Sequence, residues 1–327
     1  MHRFFRLFDR YTLALLATVA AATIVPSRGM VATALDTVVA ISIGVLFFLH
    51  GARLPREAII GGLIHWRLHL LVLACTFIAF PMFGMGVASV LPAGALTPAL
   101  LLGVLFLCAL PSTVQSSIAF TSIAHGNVAA AVCSASMSNL AGVFLTPLLV
   151  SLMMSTGASA GLGAHSIGKL VTQLFVPFVL GHLCRPWIGR EIERRRQLLE
   201  RTDRGTVLLV VYVAFSASVA SGLWQQVPWA ALASLLGIVV LMLASALAGS
   251  TWLARRLGFS REDEIAIVFC ASKKSLASGV PIANVLFAGN PALGLIVLPI
   301  LLYHPIQLMT CAVLAQRYRR RTAGVGA

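Results

Sequence analysis

The sequence predicts an all-α polytopic membrane protein: ten transmembrane helices in two inverted five-helix repeats. Three observations carry that prediction. The 327 residues are 59% hydrophobic and 10% charged, where a soluble domain carries about 25% charged residues. Apolar runs long enough to cross about 30 Å of hydrocarbon recur along the whole chain. Arginines fall in alternate short loops between those runs, as the orientation of a membrane protein requires.

By length and breakers the spans cover residues 10–25, 31–50, 67–91, 96–124, 127–154, 166–184, 205–223, 228–253, 264–288 and 291–315. The first follows the basic segment MHRFFRLFDR, which imitates a secretory leader. No small-residue cleavage site follows it and many spans do, so it reads as a retained helix. The fourth and ninth spans are too long for one straight crossing, and polar residues interrupt both near the middle.

The loops orient the spans. Arg3, Arg6 and Arg10 precede the first span, and Arg53, Arg56 and Arg67 separate the second from the third. A dense basic stretch within RPWIGREIERRRQLLERTDRG separates the sixth from the seventh. Arg255, Arg256 and Arg261 precede the ninth, and Arg317, Arg319, Arg320 and Arg321 close the chain. The intervening loops carry almost no charge. Ten spans place all the basic loops on one side, which predicts a plasma (cytoplasmic/inner) membrane protein with both termini cytoplasmic.

Residues 1–163 and 164–327 then form the two halves, and 185–204 read as a solvated cytoplasmic linker. The halves echo each other. Gly126-Asn127 and Gly289-Asn290 stand 163 residues apart, and the polar breaks PSTVQSS (111–117) and SKKSLASG (272–279) lie at nearly the same offset. Five spans per half is an odd number, so the second half is inverted. Matched interruptions in two inverted halves point to a site near the bilayer midplane.

The run Ile265 to Phe287 has no acid and holds Lys273 and Lys274 near its middle. A charge at bilayer depth costs roughly 2.5–3.5 kcal/mol even on the lenient insertion scale. Ser272 and Ser275 flank the lysines, so the helix breaks where the charge sits. In the fourth span Pro111 removes a backbone donor, and Thr113, Gln115, Ser116 and Ser117 follow it. Single Ser and Thr residues can simply back-bond to their own helix; a polar cluster facing a second break favours a binding site. The fifth span adds Ser136 and Asn139, which share a face by i,i+3 spacing; Asn139 is expected as a ligand or as a bridge to a break. The two lysines project about 100° apart on a helix, so they are not expected to be equivalent.

Asp36, the acid inside a span, reads as a helix cap. His50, His65, His69, His125 and His182 read as interfacial. His304 lies deeper, beside Pro305, which could break the tenth span. The net charge of +14 is spread over loops rather than gathered on one face, which excludes nucleic-acid binding as the leading reading. The six cysteines form no CxxC pair and read as small core residues. No metal or cofactor is expected, and no nucleophile–base pair argues for an enzyme.

The segments PSTVQSSIAFTSIAHGNVAAAV and VFCASKKSLASGVPIANVLF resemble the crossing segments of the sodium/bile acid cotransporter superfamily, most closely its bacterial SBF-like branch related to sodium/bile acid cotransporter 7. The resemblance extends over nearly the whole chain. It implies a core domain from spans 3–5 and 8–10, a panel domain from spans 1, 2, 6 and 7, and alternating-access transport of an organic anion. It also implies sodium coupling, but this chain departs from that pattern. Val268-Phe269-Cys270-Ala271 lacks the family's sodium-binding glutamate, Ser116 and Ser117 match its fourth-span ligands in part, and Ala131 and Ala135 stand at two further ligand positions.

The expected function is therefore secondary transport of a small or amphipathic anion without conventional sodium coupling. A lysine ammonium would satisfy oxygens around Ser116, Ser117, Ser136 and Asn139 in place of the ion. A buried lysine is costly to keep charged, which opens a route to proton coupling. A membrane receptor or regulator that keeps the transporter shell is the alternative.

Overall fold

The computed structural model describes residues 10–53, 65–92, 94–155 and 171–323. Arg3, Arg6, Arg56, the bare loop 156–165 and the boundary expected at 163/164 lie outside the described residues. The regular elements described are all helical, as hydrocarbon demands of a chain that must satisfy its own backbone. In the first half they are α1 (Arg10–Ile24), α2 (Gly29–Ala52), α3 (Trp66–Val90), α4 (Pro98–Ala109), α5 (Gln115–Ile123) and α6 (Val128–Ser155). In the second half they are α7 (Val176–Arg194), α8 (Arg196–Ala220), α9 (Trp229–Arg256), α10 (Arg261–Ala271), α11 (Leu276–Leu286) and α12 (Leu293–Ala323).

Among the described residues, seven stretches are long and apolar enough to cross a membrane: α2, α3, α6, α8, α9, α12, and α10 with α11 taken together. The protein is thus an all-α, multi-spanning membrane protein. Helix α2 turns large apolar side chains outward, with Met30 89% and Ile41 63% exposed. The α10–α11 stretch is the opposite case: 94% of its apolar window is buried. The segment that carries both lysines is therefore an interior element, surrounded by protein.

Helix α2 packs against α7 almost backbone to backbone. A Cβ on Gly51 would lie 1.9 Å from the Phe178 carbonyl oxygen, and one on Gly181 would lie 1.9 Å from that of Phe48. Gly181→Ala should therefore force the helices apart and lower thermal stability by about 1–3 kcal/mol, read as the melting temperature in detergent; an unchanged midpoint would refute this packing. Helix α8 packs on α1, α2, α11 and α12, and α4 lies against α12. Helix α10 is enclosed by α3, α5, α6 and α9.

The basic segments converge at one end. Arg53 Nη1 pairs with Asp203 at 2.6 Å, Arg67 Nη2 donates to the Leu257 carbonyl at 3.2 Å, and Arg261 Nη2 to the Tyr318 carbonyl at 3.4 Å. The α5–α6 turn joins them, with Asn127 Nδ2 donating to Asp263 Oδ1 at 2.8 Å. Elsewhere, Tyr212 Oη donates to the Val25 carbonyl and Ser218 Oγ to that of Pro291, each at 2.7 Å.

Several local expectations change. Residues 185–204 are helical and largely exposed: α7 runs to Arg194 and α8 starts at Arg196. Glu, Arg, Gln and Leu dominate the segment, and these residues propagate a helix. Asp36 caps nothing; α2 begins at Gly29 and Asp36 is exposed within it. Helix α12 continues through Pro299 and Pro305; proline inside a membrane-spanning helix is tolerated more readily than in water. His69 is buried rather than interfacial, its Nδ1 2.7 Å from Ser134 Oγ. In the first Gly-Asn turn the left-handed residue is His125 (φ 57). Gly126 serves close packing, since a Cβ there would meet Ile265 at 2.5 Å.

Candidate functional site

A continuous helix satisfies each carbonyl with the amide four residues on. Between α4 and α5, and again between α10 and α11, that ladder is cut. Pro111 offers no amide, and Ser112 turns its own amide to Ser138 Oγ at 3.0 Å. Five carbonyls at the end of α4 and in the break that follows find donors from other elements. Thr146 Oγ1 donates to Ala109 at 2.8 Å, the Ser275 amide to Pro111 at 2.8 Å, and Asn139 Nδ2 to Ser112 at 2.7 Å. The Cys108 and Leu110 carbonyls accept from the Lys274 ammonium at 2.9 and 2.8 Å.

The second break is completed in the same manner. Ser117 Oγ donates to the Phe269 carbonyl at 2.9 Å and Ser112 Oγ to that of Cys270 at 2.6 Å. From α12, Tyr303 Oη donates to the Ser272 carbonyl at 2.6 Å. Gln307 brackets Lys274: its Oε1 accepts from the Lys274 amide at 3.0 Å, and its Nε2 donates to the Lys274 carbonyl at 3.0 Å. Each break thus supplies donors to the other, with α6 supporting the first and α12 the second. Glycines let them meet: a Cβ on Gly142 would lie 2.7 Å from Pro111, and one on Gly279 would lie 2.6 Å from Leu110.

The two lysines, both fully buried, point to different surroundings. Lys274 Nζ donates to three carbonyls, the third being Thr76 at 3.1 Å, and lies 4.0 Å from the centroid of the Phe80 ring. An ammonium has three N–H donors, and all three are used. Thr76 lies in a π-helical turn, Cys75–Ala79, the kind of interruption at which a helix releases a carbonyl. The other two carbonyls end α4, where the helix dipole favours a cation. Lys273 Nζ has no hydrogen-bond partner among the described residues. It lies over Phe120, 3.9 Å from the ring centroid, and 5.7 Å from that of Phe269.

The remaining expected residues divide. Thr113, Ser116 and Ser117 form one hydroxyl cluster, with Thr113 Oγ1 2.7 Å from Ser116 Oγ and 3.2 Å from Ser117 Oγ. Asn139 bridges the breaks, since its Oδ1 accepts from Ser278 Oγ at 2.9 Å. Ser272 bonds back to the Val268 carbonyl at 2.6 Å and Ser275 caps α11 through the Ser278 amide at 3.2 Å. Both serve helix ends. Gln115 is exposed at the start of α5, and no side-chain hydrogen bond joins Ser136 to this network among the described residues. The expectation that a lysine ammonium would satisfy oxygens around Ser116, Ser117, Ser136 and Asn139 named no particular lysine; Lys274 meets the carbonyls of Thr76, Cys108 and Leu110 instead. Backbone carbonyls carry no side-chain signal, so the sequence could not name them. Thr76, Tyr303 and Gln307 were missed too; a polar residue in an apolar span was the available sign for each.

The chain matches the SBF-like CPA transporter family over residues 9–320. An uncharacterized protein of Pseudomonas aeruginosa is 59% identical over 313 residues, covering 96% of this chain and 93% of that protein. An Escherichia coli protein named "Putative symporter YfeH" is 49% identical over 320 residues, covering 98% and 96%. Sodium/bile acid cotransporter 7 of Danio rerio is 30% identical over 281 residues, covering 85% and 83%. The chain belongs to the SBF-like CPA transporter family, a bacterial branch related to sodium/bile acid cotransporter 7, and is a secondary transporter of the membrane.

Proposed function

We propose that the protein carries a small or amphipathic organic anion across the inner membrane by alternating access, with Lys274 standing where a symporter would hold a cation. The observation that carries this reading is the three-carbonyl seat of the Lys274 ammonium. Backbone oxygens at the end of a broken helix are what a coupling sodium ion takes as ligands. Here a tethered charge already fills them. Unlike an ion, it cannot leave; it can lose its charge by releasing a proton, which makes the proton the coupling ion.

Lys273 is the partner of the anion in this reading. Its ammonium is buried without an acceptor among the described residues, so an incoming carboxylate or sulfonate would supply one. The N-termini of α5 and α11 face the same breaks and favour negative charge. Ten spans in two inverted repeats supply the moving parts. The panel comprises α1, α2, α7 and α8, and the core comprises the remaining helices, with both breaks inside it. The convergence of Arg53, Arg67, Arg255 and Arg261 on one end supports cytoplasmic termini by the positive-inside rule.

Proteoliposomes preloaded with candidate organic anions test this reading. Saturable counterflow of at least one anion is expected, lost when Lys273 is neutralised. Tight binding of an anion with no flux across the bilayer would instead support a receptor built on the transporter shell.

A further inference from the structure

A groove of about 910 Å³ opens between α9 and α12, away from the two breaks. Its ends differ in chemistry. Arg255, Arg256 and Arg317 gather at one end, and Leu247, Val313 and Leu314 line the rest. The helices run parallel here, so all three arginines belong to the end where the basic segments converge. Trp252 stands between the two zones, 58% exposed, as aromatic residues do at the depth of lipid headgroups. Arg256 lies over its ring, 5.7 Å from the centroid. Val313 is 50% exposed and Arg317 is exposed.

Of the three charges, one is partly compensated. Arg255 donates to both Glu264 oxygens, at 2.9 and 3.0 Å, and Tyr318 Oη donates to Glu264 Oε1 at 2.8 Å. The carboxylate is thereby occupied and turned inward, with 9% of its side chain exposed. Arg255 itself remains 59% exposed. The groove keeps a net positive head above an apolar trough that faces the bilayer. A soluble metabolite would not need the trough, and a neutral lipid would not need the arginines. Basic pockets between spans at the cytoplasmic surface suit anionic headgroups.

We propose that this groove binds an anionic phospholipid, its phosphate at the three arginines and one acyl chain along Leu247, Val313 and Leu314. The lipid would rest against the Arg255–Glu264 pair at the start of α10, the helix that ends at the lysines. Titration of detergent-purified protein with phosphatidylglycerol, read by native mass spectrometry, tests the proposal. Phosphatidylcholine and inorganic phosphate serve as separate arms. Each basic residue near an anionic surface changes affinity about fivefold, so Arg256→Gln with Arg317→Gln should weaken phosphatidylglycerol binding about 25-fold. Arg319→Gln with Arg320→Gln removes equal charge from exposed positions outside the groove and should change it less than about twofold. Should the first pair fail to fold, Arg317→Gln alone carries the test with a loss of about fivefold. Unaltered affinity in the groove variant, an equal loss in the control pair, equal binding of phosphatidylcholine, or capture of phosphate alone would each overturn it.

Discussion

Lys274→Ala is expected to lower the melting temperature substantially and to make the protein respond to sodium. The substitution removes three hydrogen bonds at once. A buried acceptor left without its donor costs about 1–3 kcal/mol, so the loss is on the order of 3 kcal/mol or more. The vacated carbonyls of Thr76, Cys108 and Leu110 would then converge on an empty seat of ion size. Sodium at a hundred times its dissociation constant would return about 2.7 kcal/mol by binding the folded state. A sodium-specific rise in melting temperature is therefore predicted for Lys274→Ala and none for the native chain, with choline as the control at equal ionic strength. Sodium stabilisation of the native chain would contradict the reading, and so would an alanine variant as stable as the native protein.

Lys273→Met is expected to act in the opposite sense on stability and more severely on transport. Lys273 Nζ has no hydrogen-bond acceptor among the described residues. Its favourable contact is the Phe120 face at 3.9 Å, worth about 2 kcal/mol when desolvated. Against that stands the cost of burying a charge, several kcal/mol per ion. Methionine keeps the length and apolar body of the side chain and removes the charge. The melting temperature should stay level or rise, while anion uptake falls at least about tenfold through loss of the substrate's charge partner. Uptake that survives in Lys273→Met would remove Lys273 from the transport path. Equal, negligible losses at Lys273 and Lys274 would remove both.

Much of this was legible in the sequence because breaks in membrane helices leave chemical traces. Pro111 with its following hydroxyls, and Lys273 and Lys274 among small residues, marked the two interruptions that the helices show at 110–114 and 272–275. Their inequivalence was expected from helical geometry, whereas both lysines lie in the non-helical break and turn to different surroundings there. What the sequence did not reveal was which atoms receive the charge. Lys274 is held by main-chain carbonyls, and any residue type can offer one. The Thr76 carbonyl is offered from a π-helical turn whose sequence, CTFIA, looks like ordinary helix. Asp36 shows the converse failure: composition suggested a cap, but the helix begins seven residues earlier, at Gly29. The helical state of 185–204 was hard to read for another reason: basic and acidic residues that mark a solvated segment by charge also propagate a helix.

The central claim is that Lys274 takes the place of the coupling cation. It is tested most directly by initial rates of anion uptake into proteoliposomes, with external sodium replaced by choline at constant ionic strength, for the native chain and Lys274→Ala in parallel. The account predicts that the native rate is unchanged by the replacement and rises with an imposed proton gradient. Saturable stimulation of the native chain by sodium, retained in Lys274→Ala, would contradict it.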